Sequence, residues 1–339
     1  MPTIRDVARL AGVAPITVSR VINKTGYSSE ETRLRVESAI QELGYIPNAI
    51  ARSFRWKQTG MLALILTDIT NPFWTTVARG VEDVASDQGF NVVLCNTDES
   101  DEELDRYLRA LLQKQVDGVL LVPVHNSREP IRLIQKQNVP VVVLDRSLPE
   151  PMADVVRCDS YTGAYQLTQL LIARGHRVIT MLSGPEGVST ADERVAGYRQ
   201  AMQEVDLQSR VLYGAFTVES GYTLAQMAVQ RHSNATALFA GNNFLAIGAL
   251  KALRDGGLRV PEDISLAGFD DLPAHLVTDP FLTVVSQPAY AMGQRATQLL
   301  LERMAGVHPP AVQEVILPTT IVERRSVRAL EFKQGDSHE

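Results

Sequence analysis

The sequence predicts an all-α helix-turn-helix head joined by a hinge helix to an α/β core of two parallel-sheet lobes. Apolar residues recur at helical spacing through residues 1–46. From residue 61 onward, continuous apolar segments alternate with amphipathic ones, which is typical of parallel strands covered by helices on both faces. The alternation occurs in two successive sets of roughly 100 residues, a size typical of one lobe or small domain.

Length and composition narrow the class of protein. The chain has 339 residues, which suggests two or three domains at roughly 150 residues each. No apolar run reaches the roughly twenty residues of a membrane helix, and the first residues lack the pattern of a secretory signal. Cys95 and Cys158 are the only cysteines, which excludes a disulfide scaffold. We therefore expect a cytoplasmic protein.

Charge is distributed unevenly along the chain. Residues 1–59 carry nine Lys/Arg and five Asp/Glu, whereas the whole chain has a net charge of -6. A basic head on an acidic body is typical of a phosphate-binding module attached to a separate domain. Chance clustering explains the asymmetry equally well.

The first two predicted helices are joined by a short turn. Thr3 precedes the first apolar residue, and Asp6 three positions later completes a capping-box-like start. Gly12 ends this helix, and Pro15 opens the next at a position where its missing N–H costs nothing. A third helix begins after Ser29 as its cap. Two short helices, a turn with glycine and a third helix form a helix-turn-helix module, although any small three-helix bundle has such apolar stripes.

The polar face of the second helix favours DNA binding over a plain bundle. Thr17, Ser19 and Asn23 can donate hydrogen bonds to phosphates, and Arg20 can pair with a guanine edge through two N–H groups. Pro15 and Ile16 are apolar and can contact a thymine methyl group or follow groove shape.

The N-terminal segment resembles the head of the lactose-repressor/galactose-repressor (LacI/GalR) family of bacterial transcription regulators. The matching motifs are DVARLAGV, TVSRVIN, ETRLRV and ELGYIPNAIARS. The resemblance implies a recognition helix at about 15–23 and a hinge helix at about 48–56, which forms on operator DNA and inserts a leucine into the minor groove. This chain has Phe54 there, and Phe is another side chain that intercalates. Ala14 stands where the family usually has a serine cap.

The DNA-binding residues expected from the helix face and the resemblance are Thr3, Pro15, Ile16, Thr17, Ser19, Arg20, Asn23, Ser29, Asn48, Arg52 and Phe54. The segment between head and core is too short for a stable isolated helix, so a helix that folds only on DNA and a plain solvated linker both fit it.

The core resembles the effector domain of the same family, which is periplasmic-binding-protein-like. The predicted strands are 61–67, 91–95, 118–123, 140–145, 178–183, 211–216, 236–241 and 264–269. The predicted helices are 72–88, 101–115, 127–137, 161–174, 191–205, 219–231, 243–256 and 290–304. The expected domains are the head (1–46), the hinge (47–59), the effector-binding and dimerisation core (60–326) and a tail (327–339). Within the core, the first lobe comprises about 60–159 plus 290–326, and the second about 160–289.

Ligands of such parallel sheets bind beyond the carboxyl ends of the strands. The segments that follow these ends are 68–73, 96–98, 124–125, 145–146, 184–189, 216, 242–243 and 270–271. From these segments and the family resemblance, the expected effector-binding residues are Asn71, Phe73, His125, Arg146, Ser160, Arg194, Phe216, Asn242, Asp270 and Gln287. Phe73 either stacks on a sugar ring or packs in the core. Arg146 either contacts sugar hydroxyls or forms a structural ion pair.

Arg146, Arg194 and His125 would bring two or three positive groups to one cleft. Because an unpaired buried charge is costly, a ligand carboxylate or phosphate would stabilise them. The sequence therefore suggests a sugar acid as effector, or otherwise a neutral pentose or hexose. Saturation of the arginines by internal Asp or Glu would count against the acid.

No catalytic motif is present: GxGxxG, GxxxxGK[ST], HExxH and GxSxG are all absent, and the six histidines show no paired metal spacing. We therefore expect neither enzymatic activity nor a cofactor or metal. The predicted function is a dimeric repressor of a carbohydrate-utilisation operon, bound to palindromic double-stranded DNA, nucleoid-associated when bound, and released by its effector. The alternatives are a corepressor mode, an α/β enzyme acting on a sugar or nucleotide, and a periplasmic transport receptor, which the missing signal disfavours.

Overall fold

A computed structural model describes residues 2–23, 25–46, 58–125, 128–273, 277, 279–307 and 311–330. The chain divides into two compact units, Met1–Thr59 and Gly60–Glu339. The first unit is helical, and the second contains two six-stranded sheets. This is the fold class that the sequence predicts. Residues 47–57, on which the hinge-helix prediction falls, lie outside the described residues.

The head contains three helices that bury one small apolar core. They are α1 (Ile4–Ala11), α2 (Pro15–Ile22) and α3 (Glu30–Leu43). Val7, Val18 and Val36, one from each helix, are completely buried and hold the three together. Gly12 and Gly44 end α1 and α3 in the left-handed conformation, and the first of these helix ends is the one that the sequence analysis predicts.

The first lobe is built on a wholly parallel sheet in the order β11-β5-β4-β3-β1-β2. Its strands are β1 (Met61–Leu66), β2 (Asn91–Asn96), β3 (Gly118–Leu121), β4 (Val141–Leu144), β5 (Asp154–Cys158) and β11 (Glu314–Leu317). Its helices are α4 (Pro72–Asp87), α5 (Asp101–Gln113), α6 (Arg128–Lys136) and α11 (Ala289–Met304). Apolar clusters cover both faces of this sheet, which explains why its strands are continuous apolar runs.

The second lobe repeats this architecture in the order β12-β10-β9-β8-β6-β7, with only β12 antiparallel. Its strands are β6 (Ile179–Ser183), β7 (Arg210–Tyr213), β8 (Ala237–Ala240), β9 (Ser265–Phe269), β10 (Thr283–Ser286) and β12 (Thr320–Val322). Its helices are α7 (Ser160–Ala173), α8 (Ser189–Gln203), α9 (Val218–Arg231) and α10 (Asn243–Asp255). The strands of both sheets are arranged in the same order around the first strand of the lobe, which is β1 in one sheet and β6 in the other. Equivalent loops therefore follow the carboxyl ends of equivalent strands.

Three details of the sequence-based organisation are wrong. The strand predictions omitted β5 and β10, which are short. Residues 290–326 do not all return to the first lobe, because β12 pairs with β10 in the second sheet. Val327, assigned to a tail, is buried in the second lobe's core. Apolar periodicity identifies strands, but the sheet that a strand joins depends on long-range pairing.

Helices α4 and α11 pack with their backbones almost in contact. A Cβ atom added to Gly293 would lie 2.1 Å from the Val77 carbonyl oxygen, and one added to Gly80 would lie 2.2 Å from the Tyr290 carbonyl oxygen. Both helices cover the same face of the first sheet. The two helices can therefore approach this closely because both positions are glycines.

We expect Gly293→Ala to lower the free energy of unfolding by about 1–3 kcal/mol, because the new methyl group meets backbone that cannot rotate away. Urea denaturation of the full chain measures this. Gln298→Ala, at an exposed position of the same helix, is the control. Equal stabilities of the two variants would contradict the close packing.

No helix among the described residues is long and apolar enough to cross a membrane.

Candidate functional site

A cavity of about 440 Å³ lies between the carboxyl ends of the two sheets. We call it the interlobe cavity. Nine of the ten predicted effector-binding residues line it: Asn71, Phe73, His125, Arg146, Arg194, Phe216, Asn242, Asp270 and Gln287. Its place follows from the topology, because parallel strands direct their carboxyl ends and following loops to one edge.

Ser160 is not among the residues that line the interlobe cavity. It is the first residue of α7 and is fully buried, with no hydrogen-bond partner for its Oγ atom among the described residues. Asp159 caps the helix by accepting a hydrogen bond from Thr162 N at 2.9 Å. The structure therefore does not bring Ser160 to the wall of the cavity with the other nine.

Asp145 and Asp270 occupy equivalent places in the two lobes. Asp145 follows β4 and Asp270 follows β9, and each is only 7% exposed at the cavity wall. Both are in the left-handed region, with φ of 64° and 68°, a conformation that is rare outside glycine and is enriched at ligand sites. The sequence analysis included Asp145 among the strand-end residues but did not assign it to binding.

Burial dominates the electrostatics of these two carboxyls. It raises the pKa of Asp145 to about 6, against the lowering effect of the Arg194 and Arg146 guanidinium groups. Burial also raises the pKa of Asp270, while Arg194 and the hydrogen bond from Gln287 lower it. Both carboxyls therefore keep a proton to higher pH than an exposed aspartate does, in surroundings that exclude most water.

Arg146 is paired by the protein itself. Its Nη1 atom donates to Glu99 Oε2 at 2.9 Å and to the Pro123 carbonyl oxygen at 2.6 Å, and its Nη2 atom donates to Glu99 Oε1. The side chain is 6% exposed, and its Nε atom is buried without a partner among the described residues. Of the two alternatives for Arg146, the structural ion pair is present.

Arg194 is held by different contacts. Its Nη1 atom donates to the Gly241 carbonyl oxygen at 2.7 Å, and its guanidinium carbon lies 3.9 Å from the centroid of the Phe269 ring. Its Nε atom is likewise buried with no partner in the described part of the chain. The arginine is thus fixed through one of its five N–H groups, and the N–H of Nε is among those left for a ligand.

The charges around the interlobe cavity are mostly negative. Asp68, Asp98, Glu99, Asp145 and Asp270 line it, against Arg146 and Arg194. The third expected cation, His125, is 66% exposed and lies 3.4 Å from Asp101 through its Nδ1 atom. Glu99 therefore meets for Arg146 the condition that counts against an acid, whereas Arg194 donates to a carbonyl oxygen and not to a carboxylate.

Aromatic rings line the interlobe cavity from opposite lobes. Phe73 packs edge-on against Trp74, with ring centroids 4.8 Å apart, and still reaches the cavity. Phe73 therefore packs in the core, which is one of its two predicted roles, and it also lines the cavity. Phe216 lies directly over Gly184, where an added Cβ atom would be 2.2 Å from the ring. Two apolar faces are thus presented to one polar cavity.

A pair of amides joins the two lobes beside the cavity. Asn71 Nδ2 donates to Asn243 Oδ1 at 3.0 Å, and Asn243 Nδ2 donates to Asn71 Oδ1 at 2.9 Å. Asn71 Oδ1 also accepts a hydrogen bond from Phe73 N and so caps α4. Sequence reasoning missed this pair, because its members are 172 residues apart. The amide of Asn71 is largely used within the protein.

In the head, several predicted DNA-binding residues also have local roles. Thr3 donates to Asp6 through its backbone and hydroxyl, and Ser29 caps α3 by accepting from Thr32 N. Asn23 Nδ2 donates to the Ser19 carbonyl oxygen at 2.7 Å. Pro15, Ile16 and Arg20 are exposed, and Thr17 and Ser19 are partly exposed on α2. Asn48, Arg52 and Phe54 lie outside the described residues.

Among the described residues, no group of three or more His, Cys, Asp or Glu side chains is placed to hold a metal ion.

A three-helix head with an exposed polar helix and a separate two-lobed core around a polar cavity define a class of protein: DNA-binding regulators that respond to a small molecule.

The chain belongs to the LacI family of bacterial regulatory proteins. Residues 3–48 match the family described as bacterial regulatory proteins, lacI family. Residues 59–323 match the family described as periplasmic binding proteins and sugar binding domain of LacI family. The resemblance seen in the sequence is confirmed.

Similar proteins span essentially the whole chain. The ribose operon repressor of Halalkalibacterium halodurans is 38% identical over 99% of this chain and 100% of its own length. The transcriptional repressor PurR of Vibrio atlanticus is 36% identical, covering 97% of this chain and 100% of its own. The chain is thus a DNA-binding transcriptional repressor and not an enzyme, so the α/β-enzyme alternative is set aside.

Solved structures support the same assignment. The lac repressor dimer bound to operator is 28% identical, with a TM-score of 0.86 and coverage of 97% of this chain and 99% of that one. The CelR–cellobiose complex is 35% identical, with a TM-score of 0.73 and coverage of 96% and 100%. A LacI family regulator from Enterococcus faecium with bound ribose is 31% identical, with a TM-score of 0.72 and coverage of 80% and 100%.

We expect Asp145→Asn to alter how stability depends on pH. Because the pKa of Asp145 in the folded protein is about 6, above the roughly 3.9 of an unfolded chain, the stabilising contribution of its protonated form is complete below about pH 4. That contribution is lost as the pH rises through about 6. The free energy of unfolding of the variant, relative to that of the wild type, should therefore rise between pH 4 and pH 7 by up to about 3 kcal/mol.

Urea denaturation at pH 4, 5, 6 and 7 measures this difference, with the exposed Asp87→Asn as the control. A wild-type-to-variant difference that is the same at every pH would show that Asp145 titrates normally.

Proposed function

We propose that this repressor controls a carbohydrate-utilisation operon and is released from its operator when a neutral monosaccharide binds in the interlobe cavity. The observation that carries the proposal is the combination of hydrogen-bonding groups and aromatic faces at the carboxyl ends of both sheets. The proposed effector-binding residues are those of the ten predicted ones that line the cavity.

The neutral form of the sugar is favoured by the pairing of charges. Since Glu99 pairs with both Nη atoms of Arg146, the charge of that arginine is already balanced. Asp145 and Asp270 are acceptors suited to sugar hydroxyls, and the N–H groups of the arginines that have no protein partner among the described residues suit hydroxyl or ring oxygens. Phe73 and Phe216 offer surfaces to the apolar faces of a ring. The ribose bound to the Enterococcus faecium relative supports this class of ligand.

DNA recognition is proposed for α2 and the hinge. Arg20 is the base-reading side chain, and Thr17 and Ser19 contact phosphates. Asn48, Arg52 and Phe54 are proposed for the hinge, with Phe54 as the wedge in the minor groove. The lac repressor neighbour is a dimer bound to operator. Two copies of the head on a palindromic operator follow if this chain assembles likewise, in the cytoplasm and on the nucleoid.

We expect Arg20→Ala to weaken binding to a palindromic fragment of the controlled promoter by about 1–3 kcal/mol, because a bidentate guanine contact is lost. Fluorescence anisotropy with this duplex and a scrambled competitor, at two salt concentrations, measures both specificity and salt dependence. Arg33→Ala, on α3 and paired with Glu30 and Glu37, is the matched control.

A full-length protein that shows no preference for any promoter fragment over the scrambled duplex would refute the proposed operator. An equal loss in the two variants would refute only the role of Arg20.

Neutral aldoses should raise the melting temperature of the full chain. A panel including D-ribose, D-glucose and D-galactose is expected to contain at least one sugar that does so, because a ligand that binds only the folded state stabilises it. Phe216→Ala should reduce the affinity about tenfold or more by removing one stacking face. The L-enantiomer of each sugar is the matched control, and identical responses to both enantiomers would indicate non-specific stabilisation.

A further inference from the structure

Glu99 reaches Arg146 across the carboxyl edge of the first sheet. Glu99 follows β2 and Arg146 follows β4, and two strands, β1 and β3, lie between them. Asp98 and Glu99 both have positive φ, of 48° and 59°. Two successive residues in this conformation are costly, and such strain is found where the surrounding structure fixes a functional loop. The turn thus brings the Glu99 carboxylate to a distant arginine.

The contact balances the positive charge that would attract an anion to Arg146. Both Nη atoms of Arg146 bond Glu99, and Nη1 also bonds the Pro123 carbonyl oxygen. These contacts use three of the five N–H groups of the side chain, and they leave the N–H of Nε and one N–H of Nη2 for a ligand. The remaining N–H groups can donate to hydroxyl or ring oxygens of a neutral sugar. A ligand carboxylate would gain little there, because Glu99 already supplies the counter-charge of Arg146.

Displacing Glu99 would be unfavourable for a ligand acid. Glu99 is 39% exposed at its side chain, so it has room to move away. Once displaced, its charge would stay close to Asp98 and the other carboxylates of the cavity. The incoming acid would then face like charges in surroundings that screen them poorly.

We propose that Glu99 is the charge-selectivity residue of the interlobe cavity: by occupying Arg146, it admits neutral sugars and excludes sugars that carry a carboxylate. This inference rests on the proposed function and deepens it, since it names the residue that separates two classes of effector. The sequence analysis put the sugar acid before the neutral sugar because the counter-ion of Arg146 comes from a loop 47 residues away.

The test compares sugars with their uronic acids, which keep the ring and replace only the terminal CH₂OH by a carboxylate. The pairs are D-ribose with D-riburonate, D-glucose with D-glucuronate and D-galactose with D-galacturonate. Isothermal titration calorimetry on the full chain gives the ratio of the two dissociation constants in each pair. The wild type should favour the neutral sugar.

Glu99→Gln should shift that ratio toward the acid by about tenfold or more, the effect of one charge-assisted hydrogen-bond pair. Asp98→Asn is the matched control, because it removes one charge from the same turn and leaves Arg146 paired. Its ratio should shift by less than that of Glu99→Gln, because Arg146 keeps its counter-charge. A gain of acid affinity cannot result from poor folding.

An unchanged ratio in Glu99→Gln, an equal shift in Asp98→Asn, or a wild type that binds acid and sugar equally would each overturn the inference while leaving a sugar effector in place. A wild type that binds neither member of any pair would overturn the proposed effector class, and this inference with it.

Discussion

The convergence of the carboxyl ends of two parallel sheets on one cavity is the constraint on which the rest of the site depends. Parallel strands deliver every following loop to the same edge, so residues far apart in the sequence meet there without a dedicated scaffold. The close packing of helices on both faces holds each sheet in place. Asp145 and Asp270, in equivalent left-handed positions, show that both lobes place a carboxyl group after a strand with the same backbone conformation.

Charge pairing decides which ligands that geometry accepts. Arg146 and Arg194 are buried; Glu99 pairs directly with Arg146, and Arg194 acts electrostatically on the carboxyls of Asp145 and Asp270. Because buried charges must be compensated, a cavity that supplies its own counter-ions has no need of an anionic ligand. The amides of Asn71 and Asn243 connect the lobes without adding charge, so contact between the lobes does not depend on neutralisation.

Much of this structure is predictable from the sequence. Apolar periodicity and helix caps such as Gly12, Pro15 and Ser29 locate the head helices, and strand-end position selects more than half of the cavity residues. Three features escape, for a shared reason. The pairing of β12 with the second sheet, the Glu99–Arg146 ion pair and the Asn71–Asn243 amide pair all depend on contacts between distant residues. The local sequence pattern indicates which residues are polar and face a cavity, but it does not indicate which of them form hydrogen bonds or ion pairs with one another.

The central claim is that sugar binding in the core and operator binding by the head are energetically coupled. Thermodynamic linkage makes this coupling reciprocal. The factor by which bound operator changes the dissociation constant of the sugar must equal the factor by which bound sugar changes the dissociation constant of the operator. The direct measurement is calorimetric titration of sugar into the full-length protein, free and saturated with operator duplex. The account predicts that operator weakens sugar binding by about 5–150-fold. Equal sugar affinities in the two titrations would contradict it.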